Sequence, residues 1–176
     1  MRTLLIALAL LAAACSPPAQ NADSTTATNA EEAAQAPQNP YVAALAGEVQ
    51  TGAWISRTDE GVTSACFGAP QSECVITVVC EMPSGKISLS VEHELAPDQA
   101  TTIRLFTATQ TFDLPAQSFN EGLPNVTATV ADNAPEKTPL IGMLGTPTER
   151  FGAEIAGART VYPWDASVAA VLTACR

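Results

Sequence analysis

Histidine and basic side chains are what this sequence has least of. A single histidine, His93, stands in 176 residues, and eight Lys and Arg face eighteen Asp and Glu, a formal net charge of −10. One imidazole cannot build the His-rich clusters that zinc centres use. The acidic excess repels polyanions, so nucleic acid is excluded as an expected partner. Aromatic residues make up 5% of the chain, too few for the stacking platforms that hold single-stranded nucleic acid. No apolar run reaches the roughly 18 to 20 residues that a spanning helix needs. A Gly-x-Ser-x-Gly elbow, a phosphate loop and a dinucleotide-binding glycine fingerprint are missing as well.

What is present begins at the first residue. Met1 and Arg2 make a short positive start, Leu4 to Ala14 is apolar, and small residues lead directly to Cys15. This is the pattern of a secretory signal peptide, predicted over residues 1–14. A cysteine stands where cleavage is expected, in Leu10-Leu11-Ala12-Ala13-Ala14-Cys15. The segment resembles the lipobox of bacterial lipoproteins, with Ala12 where that family usually carries a larger aliphatic residue and a leucine one position earlier. The resemblance implies a diacylglycerol on the Cys15 thiol, cleavage just before it and acylation of the new amino group. With Ser16 rather than Asp next, it further implies a lipid-anchored protein of the outer membrane, facing the periplasm. Each buried methylene of an acyl chain contributes about 0.8 kcal/mol, so several chains hold firmly. A plain signal peptide with a chance cysteine would leave an unpaired thiol in an exported protein, which is a liability.

After Cys15, Ser16 to Pro40 carries no aromatic, no Leu, Ile or Val, and no basic residue. Such a segment cannot bury enough surface to offset its ordering entropy, so residues 15–40 are expected to be a lipidated, disordered tether. Its reach is about 25 to 30 Å by flexible-chain scaling. Residues 41–176 remain for one domain with a modest core. All eighteen acids but only seven of the eight bases follow Cys15, so the chain beyond it carries about −11. That balance permits a cationic partner.

Of the five cysteines, Cys66, Cys74, Cys80 and Cys175 remain once Cys15 is set aside. In an oxidising compartment an even number reads as two disulfides, with three possible pairings. Cys66 with Cys74 is preferred because the pair flanks the turn-like Phe67-Gly68-Ala69-Pro70; Cys80 with Cys175 would then close nearly the whole domain. Zinc and thiol exchange both favour tighter Cys-x-x-Cys spacing than is found here.

Lys86 to Glu92 alternates, with Ile87, Leu89 and Val91 on one face, the pattern of a half-buried strand. Cys74 to Cys80 is nearly continuously apolar and predicts a central strand, joined to the first by Pro83-Ser84-Gly85. Further strands are expected at Trp54–Arg57, Val62–Phe67, Thr102–Thr107, Thr111–Leu114, Val126–Ala131, Arg150–Ile155 and Thr160–Tyr162. A last helix is predicted from the stripe Trp164, Val168, Val171, Leu172 and Cys175, with Pro163 in its first turn. Tyr41–Ala46 is a short helical candidate and Leu140–Leu144 a single turn. The fold class is therefore α+β, mostly β: an antiparallel curved sheet or small barrel with a C-terminal helix packed on it and two disulfides.

Candidate chemistry is sparse. His93 lies between Glu92 and Glu94, and Ser88 and Ser90 sit on the preceding strand, which does not converge them as nucleophile and base. Asp59-Glu60 and Glu92 with Glu94 lack the spacing of a calcium loop. Asn125-Val126-Thr127 is a glycosylation sequon, without weight in a bacterial protein. Trp54 and Trp164 lie in apolar patterns and read as core rather than ligand contacts. No catalytic, cofactor-binding or metal-binding residue is expected.

Trp54 on a first strand, Phe67 to Pro70, Cys80 at a strand end and a terminal Cys175-Arg176 after a helix together resemble small uncharacterised proteobacterial envelope lipoproteins. The resemblance supports the Cys80–Cys175 pairing and implies no known activity. The leading expectation is a non-catalytic binding or structural protein of the cell envelope with a protein partner, which could be basic. The alternative is a lipoprotein inhibitor of an envelope hydrolase such as lysozyme, to which the anchor, barrel and disulfide are similar. The Ser-Gly-x-x-Tyr loop of those inhibitors is missing, and Glu149-Arg150-Phe151-Gly152 does not replace it.

Overall fold

The computed structural model describes residues 39–120 and 122–176. The expected signal peptide, Cys15 and all but the last two residues of the expected tether lie outside them. Nine strands form one antiparallel sheet: β1 (Ala53–Asp59), β2 (Val62–Gly68), β3 (Ile76–Glu81), β4 (Lys86–Glu92), β5 (Ala100–Phe106), β6 (Thr111–Phe119), β7 (Asn125–Val130), β8 (Arg150–Ile155) and β9 (Ala158–Pro163). Their spatial order is β1-β2-β3-β4-β7-β6-β5-β8-β9. A first meander, β1 to β4, thus meets a second, β5 to β7, through its last strand, and β8 and β9 extend the far side.

Turn chemistry explains the hairpins. Glu60 and Gly61, at φ 45° and 82°, join Asp59 to its register partner Val62; Ala156 and Gly157, at φ 50° and 85°, do the same between Ile155 and Ala158. Two central residues with positive φ give the turn twist that matches twisted strands, and a glycine second in each pair makes it accessible.

Alternation then sorts the faces. Phe67, Ile76 and Val91 are register neighbours on one face, as are Ala65, Val78, Leu89 and Ala128, and all are buried. The sheet curls around this face as a half-barrel, and two helices fill it: α2 (Lys137–Leu144) and α3 (Ala166–Ala174), which pack on each other, with α3 against β2 and β3. Val168, Val171 and Leu172 are fully buried, each contributing roughly 1.5 to 3 kcal/mol by leaving water. Both disulfides form as preferred: Cys66–Cys74 and Cys80–Cys175. The second staples the end of α3 to β3 inside this core.

The curled edges are drawn together at Trp54. Its indole Nε1 donates to the Pro163 carbonyl at 2.8 Å, and its ring lies beside Phe67 and Phe151. Just upstream, Gln50 donates its backbone N–H to Val161 at 2.8 Å and Val49 bridges Val161 in parallel. The residues entering β1 therefore run along β9.

A second, smaller core sits on the outer face. Phe106 and Val161 point away from the concave side and are covered by Tyr41 and Leu45, the latter in the one-turn helix α1 (Val42–Leu45). Tyr41 stacks on Phe106 at 4.6 Å, Arg159 lies over the Tyr41 ring, and Arg104 donates to its hydroxyl at 3.0 Å. Asn39 donates through Nδ2 to the Thr107 and Ala108 carbonyls.

Several expectations are corrected. Asn39 and Pro40, expected in the tether, belong to the folded part because Asn39 is held by those carbonyls. The third strand begins at Ile76 rather than Cys74, since Cys74 is turned toward Cys66. Strand β6 runs on to Phe119 through Pro115, which is tolerated because β6 pairs with β7 only over Gln117–Phe119. Helix α2 has eight residues instead of one turn. Helix α3 starts at Ala166: Pro163 ends β9, and the Asp165 side chain caps the helix by accepting from the Ser167 N–H at 2.8 Å. Trp164 therefore lies before the helix, with Nε1 donating to the Leu144 carbonyl.

Candidate binding groove

Most residues singled out in the sequence are not brought together. His93 follows β4 and is held by its backbone N–H on the Pro124 carbonyl at 3.2 Å. Among the described residues, no hydrogen bond links it to Ser88 or Ser90; the Ser90 hydroxyl instead meets the Thr127 hydroxyl at 2.8 Å. Asp59 and Glu60 mark the β1–β2 turn, remote from Glu92 in the register of the sheet. No group of three or more His, Cys, Asp or Glu among the described residues could hold a metal ion. Both indole N–H groups are spent on backbone carbonyls, so Trp54 and Trp164 pack rather than present themselves. In the Glu149–Gly152 stretch, Arg150 donates to the Leu45 carbonyl at 3.0 Å and Phe151 is buried. That stretch holds α1 and does not project.

What the fold does assemble is a groove of about 470 Å³ at one end of the sheet. Its floor is the outer face of β3, β4 and β7. Register places Thr77 beside Ser90 and Ser90 beside Thr127, and Glu92 beside Asn125. Thr127 donates on to Asn125 Oδ1 at 3.0 Å, so these small polar groups form one chain. One wall is Glu73 and Cys74, positioned by the Cys66–Cys74 bond; the other is the β6–β7 loop at Leu123 and Pro124. Phe119, the register partner of Asn125, stands at the rim, 44% exposed, with Leu123 at 41%.

Charge is unevenly compensated across the molecule. Glu81, Asp113, Asp132 and Glu154 each meet a base, Lys86, Arg104, Lys137 and Arg159 respectively. The Arg104 guanidinium holds the Asp113 carboxyl below the usual range, and Lys86 does the same for Glu81. Glu73 and Glu92, like Glu48, Asp59, Glu60, Glu94, Asp98, Glu136 and Asp165, have no such ion pair among the described residues. Behind the sheet, burial pushes the Tyr162 phenol up to about 12, and the Glu92 charge adds to that shift.

Sequence reading had named Ser90, Glu92 and Asn125, each for a different reason, and had passed over Glu73, Thr77 and Leu123. The only signal for the assembly was the hydroxyl alternation of β4, which marks a solvated face without saying what lies across it. Comparison with family models, curated proteins and solved structures finds no match for this chain.

Proposed function

We propose that this chain is a lipid-anchored protein of the cell envelope, held in the outer membrane through Cys15 and facing the periplasm, whose domain binds a partner without catalysis. The cysteine pairing carries the proposal. Cys66, Cys74, Cys80 and Cys175 satisfy one another, which leaves Cys15 as the one cysteine without a partner in the domain and free for acylation. Structural disulfides also fit an oxidising compartment outside the cytoplasm. The acidic domain, 15 acids against 7 bases over residues 41–176, keeps off anionic headgroups and attracts bases, which fits a body tethered near a bilayer without lying on it.

Intact-mass analysis of the protein from bacterial membranes tests this reading. The expected mass lacks residues 1–14, carries diacylglycerol and a third acyl chain on Cys15, and shows four sulfhydryls oxidised. Cys15→Ser is expected to move the protein out of the membrane fraction. An unacylated N-terminus, or membrane retention of Cys15→Ser, would defeat the proposal.

A further inference from the structure

The groove beside the Cys66–Cys74 disulfide has the chemistry of a docking site, and we infer that it takes an extended, cationic segment with interspersed apolar side chains, belonging to another protein of the envelope. The inference deepens the binding role proposed above and rests on it for the compartment in which the partner is met.

Three observations carry it. The lining of the groove carries two carboxylates, Glu73 and Glu92, and no base, and neither carboxylate is ion-paired among the described residues. Complementary charge across an interface raises the association rate and fixes register, and a chain carrying about −11 adds a long-range field of the same sign. Leu123 in the lining, and Phe119 across Asn125 from Glu92 in the register, hold 41% and 44% of their surface in water, two of the few large apolar side chains so exposed in the described domain. An occupant must therefore supply both positive charge and apolar surface. The floor of Thr77, Ser90 and Asn125 supplies donors and acceptors that a passing main chain can use. In an extended segment successive side chains point to opposite sides, so one set can reach the carboxylates while the other lies on Phe119 and Leu123.

The chain enters the domain at Asn39, held against Thr107 and Ala108 in the β5–β6 turn. Strand β6 runs from that turn to Phe119, a distance of about 25 Å at roughly 3.3 Å per residue. The groove thus lies at the end of the sheet opposite the Asn39 contact.

The test uses the full chain purified in detergent and a fluorescent twelve-residue peptide of alternating Lys and Leu, read by anisotropy. Saturable binding is expected, weakened about tenfold or more by Glu73→Gln with Glu92→Gln and by Phe119→Ser with Leu123→Ser. Both variants change exposed side chains, and an unchanged thermal melt verifies their fold. Absence of saturable binding to the wild-type chain, or equal binding by both variants, would overturn the inference. So would equal affinity for an alternating Lys and Ser peptide, which removes the apolar requirement. Binding of an N-acetylglucosamine tetramer with competition at the groove would assign it to a glycan instead. Because peptide binding does not require acylation, failure here and failure of the Cys15 experiment are told apart.

Discussion

Removing the two disulfides one at a time should destabilise the domain unequally, and in an order fixed by topology. The perturbations are Cys80→Ala with Cys175→Ala, and Cys66→Ala with Cys74→Ala. The first bond closes a separation of 95 residues and the second one of 8. In the chain-entropy description the long loop contributes about 4 to 5 kcal/mol and the short loop about 2.5 kcal/mol. Burial widens the gap: Cys80 and Cys175 are 0% and 2% exposed, so truncation to alanine also leaves a void costing on the order of 1 kcal/mol. Against a typical stability of about 5 to 15 kcal/mol, the long-range loss is expected to take a large share. The assay is equilibrium urea unfolding of the oxidised chain, followed by the fluorescence of Trp54 and Trp164, both packed against the core. The long-range variant should lose at least about 2 kcal/mol more than the short-range one and show a steeper urea dependence, because its unfolded chain expands further. Equal losses, or a larger loss from the short loop, would refute the idea that the α3–β3 staple limits the unfolded state.

Other perturbations follow from single contacts. At Gly152 an added Cβ would fall 2.1 Å from the Phe106 ring, which cannot retreat because Tyr41 stacks on its other side; Gly152→Ala should cost about 1 to 3 kcal/mol and open residues 39–50 to limited proteolysis. The Asp165 carboxyl is held below its usual 3.8 by the Ser167 hydroxyl and N–H. Its contribution is present above the unfolded value and is lost as pH falls through the lowered folded one. Asp165→Ala should therefore cost about 1 kcal/mol at pH 7, and its thermal melt should begin to approach the wild type below about pH 3.8 and meet it only once pH has passed the lowered folded value. Tyr162 has the opposite sense. Its phenol is raised from 10 to about 12, so its stabilisation is complete below pH 10 and declines as pH rises toward 12, by about 2 to 3 kcal/mol. Tyr162→Phe should flatten that alkaline loss in urea titrations at successive pH values.

How much of this was legible beforehand follows from what period-two patterning encodes. Alternation identifies a strand and its buried face, and Ile87, Leu89 and Val91 were read correctly for that reason. It does not name the neighbour, so nothing local placed β7 against β4, and the register that sets Glu92 beside Asn125 came only with the sheet. The groove needs four separated segments, Glu73–Cys74, Thr77, Ser90–Glu92 and Leu123–Asn125. Read singly, Cys74 is half of a disulfide, Thr77 part of an apolar central strand, Ser90–Glu92 a wet strand face and Asn125 a sequon, so none points to the others. The last helix was legible from Val168, Val171 and Leu172, but its start was not, because the capping role of Asp165 competes in the sequence with the usual place of Pro163.

The outer-face core shows where a stronger signal was available. In β5 and β9, Leu105 with Phe106 and Val161 with Tyr162 put two large apolar residues side by side, and all four are buried. A strand facing solvent on one side cannot bury consecutive side chains, since they project to opposite faces. Such pairs require a second cover, and Gly152 between Phe106 and Val161 in the register leaves room for an aromatic ring to lie flat. The cover had to come from chain outside the nine strands, and the apolar Tyr41-Val42-Ala43-Ala44-Leu45 is its nearest source. The same packing that buries Phe106 also holds residues 39–45 against β5 and β9. Loosening it should expose residues 39–45 to limited proteolysis while leaving the affinity of the groove for a peptide unchanged.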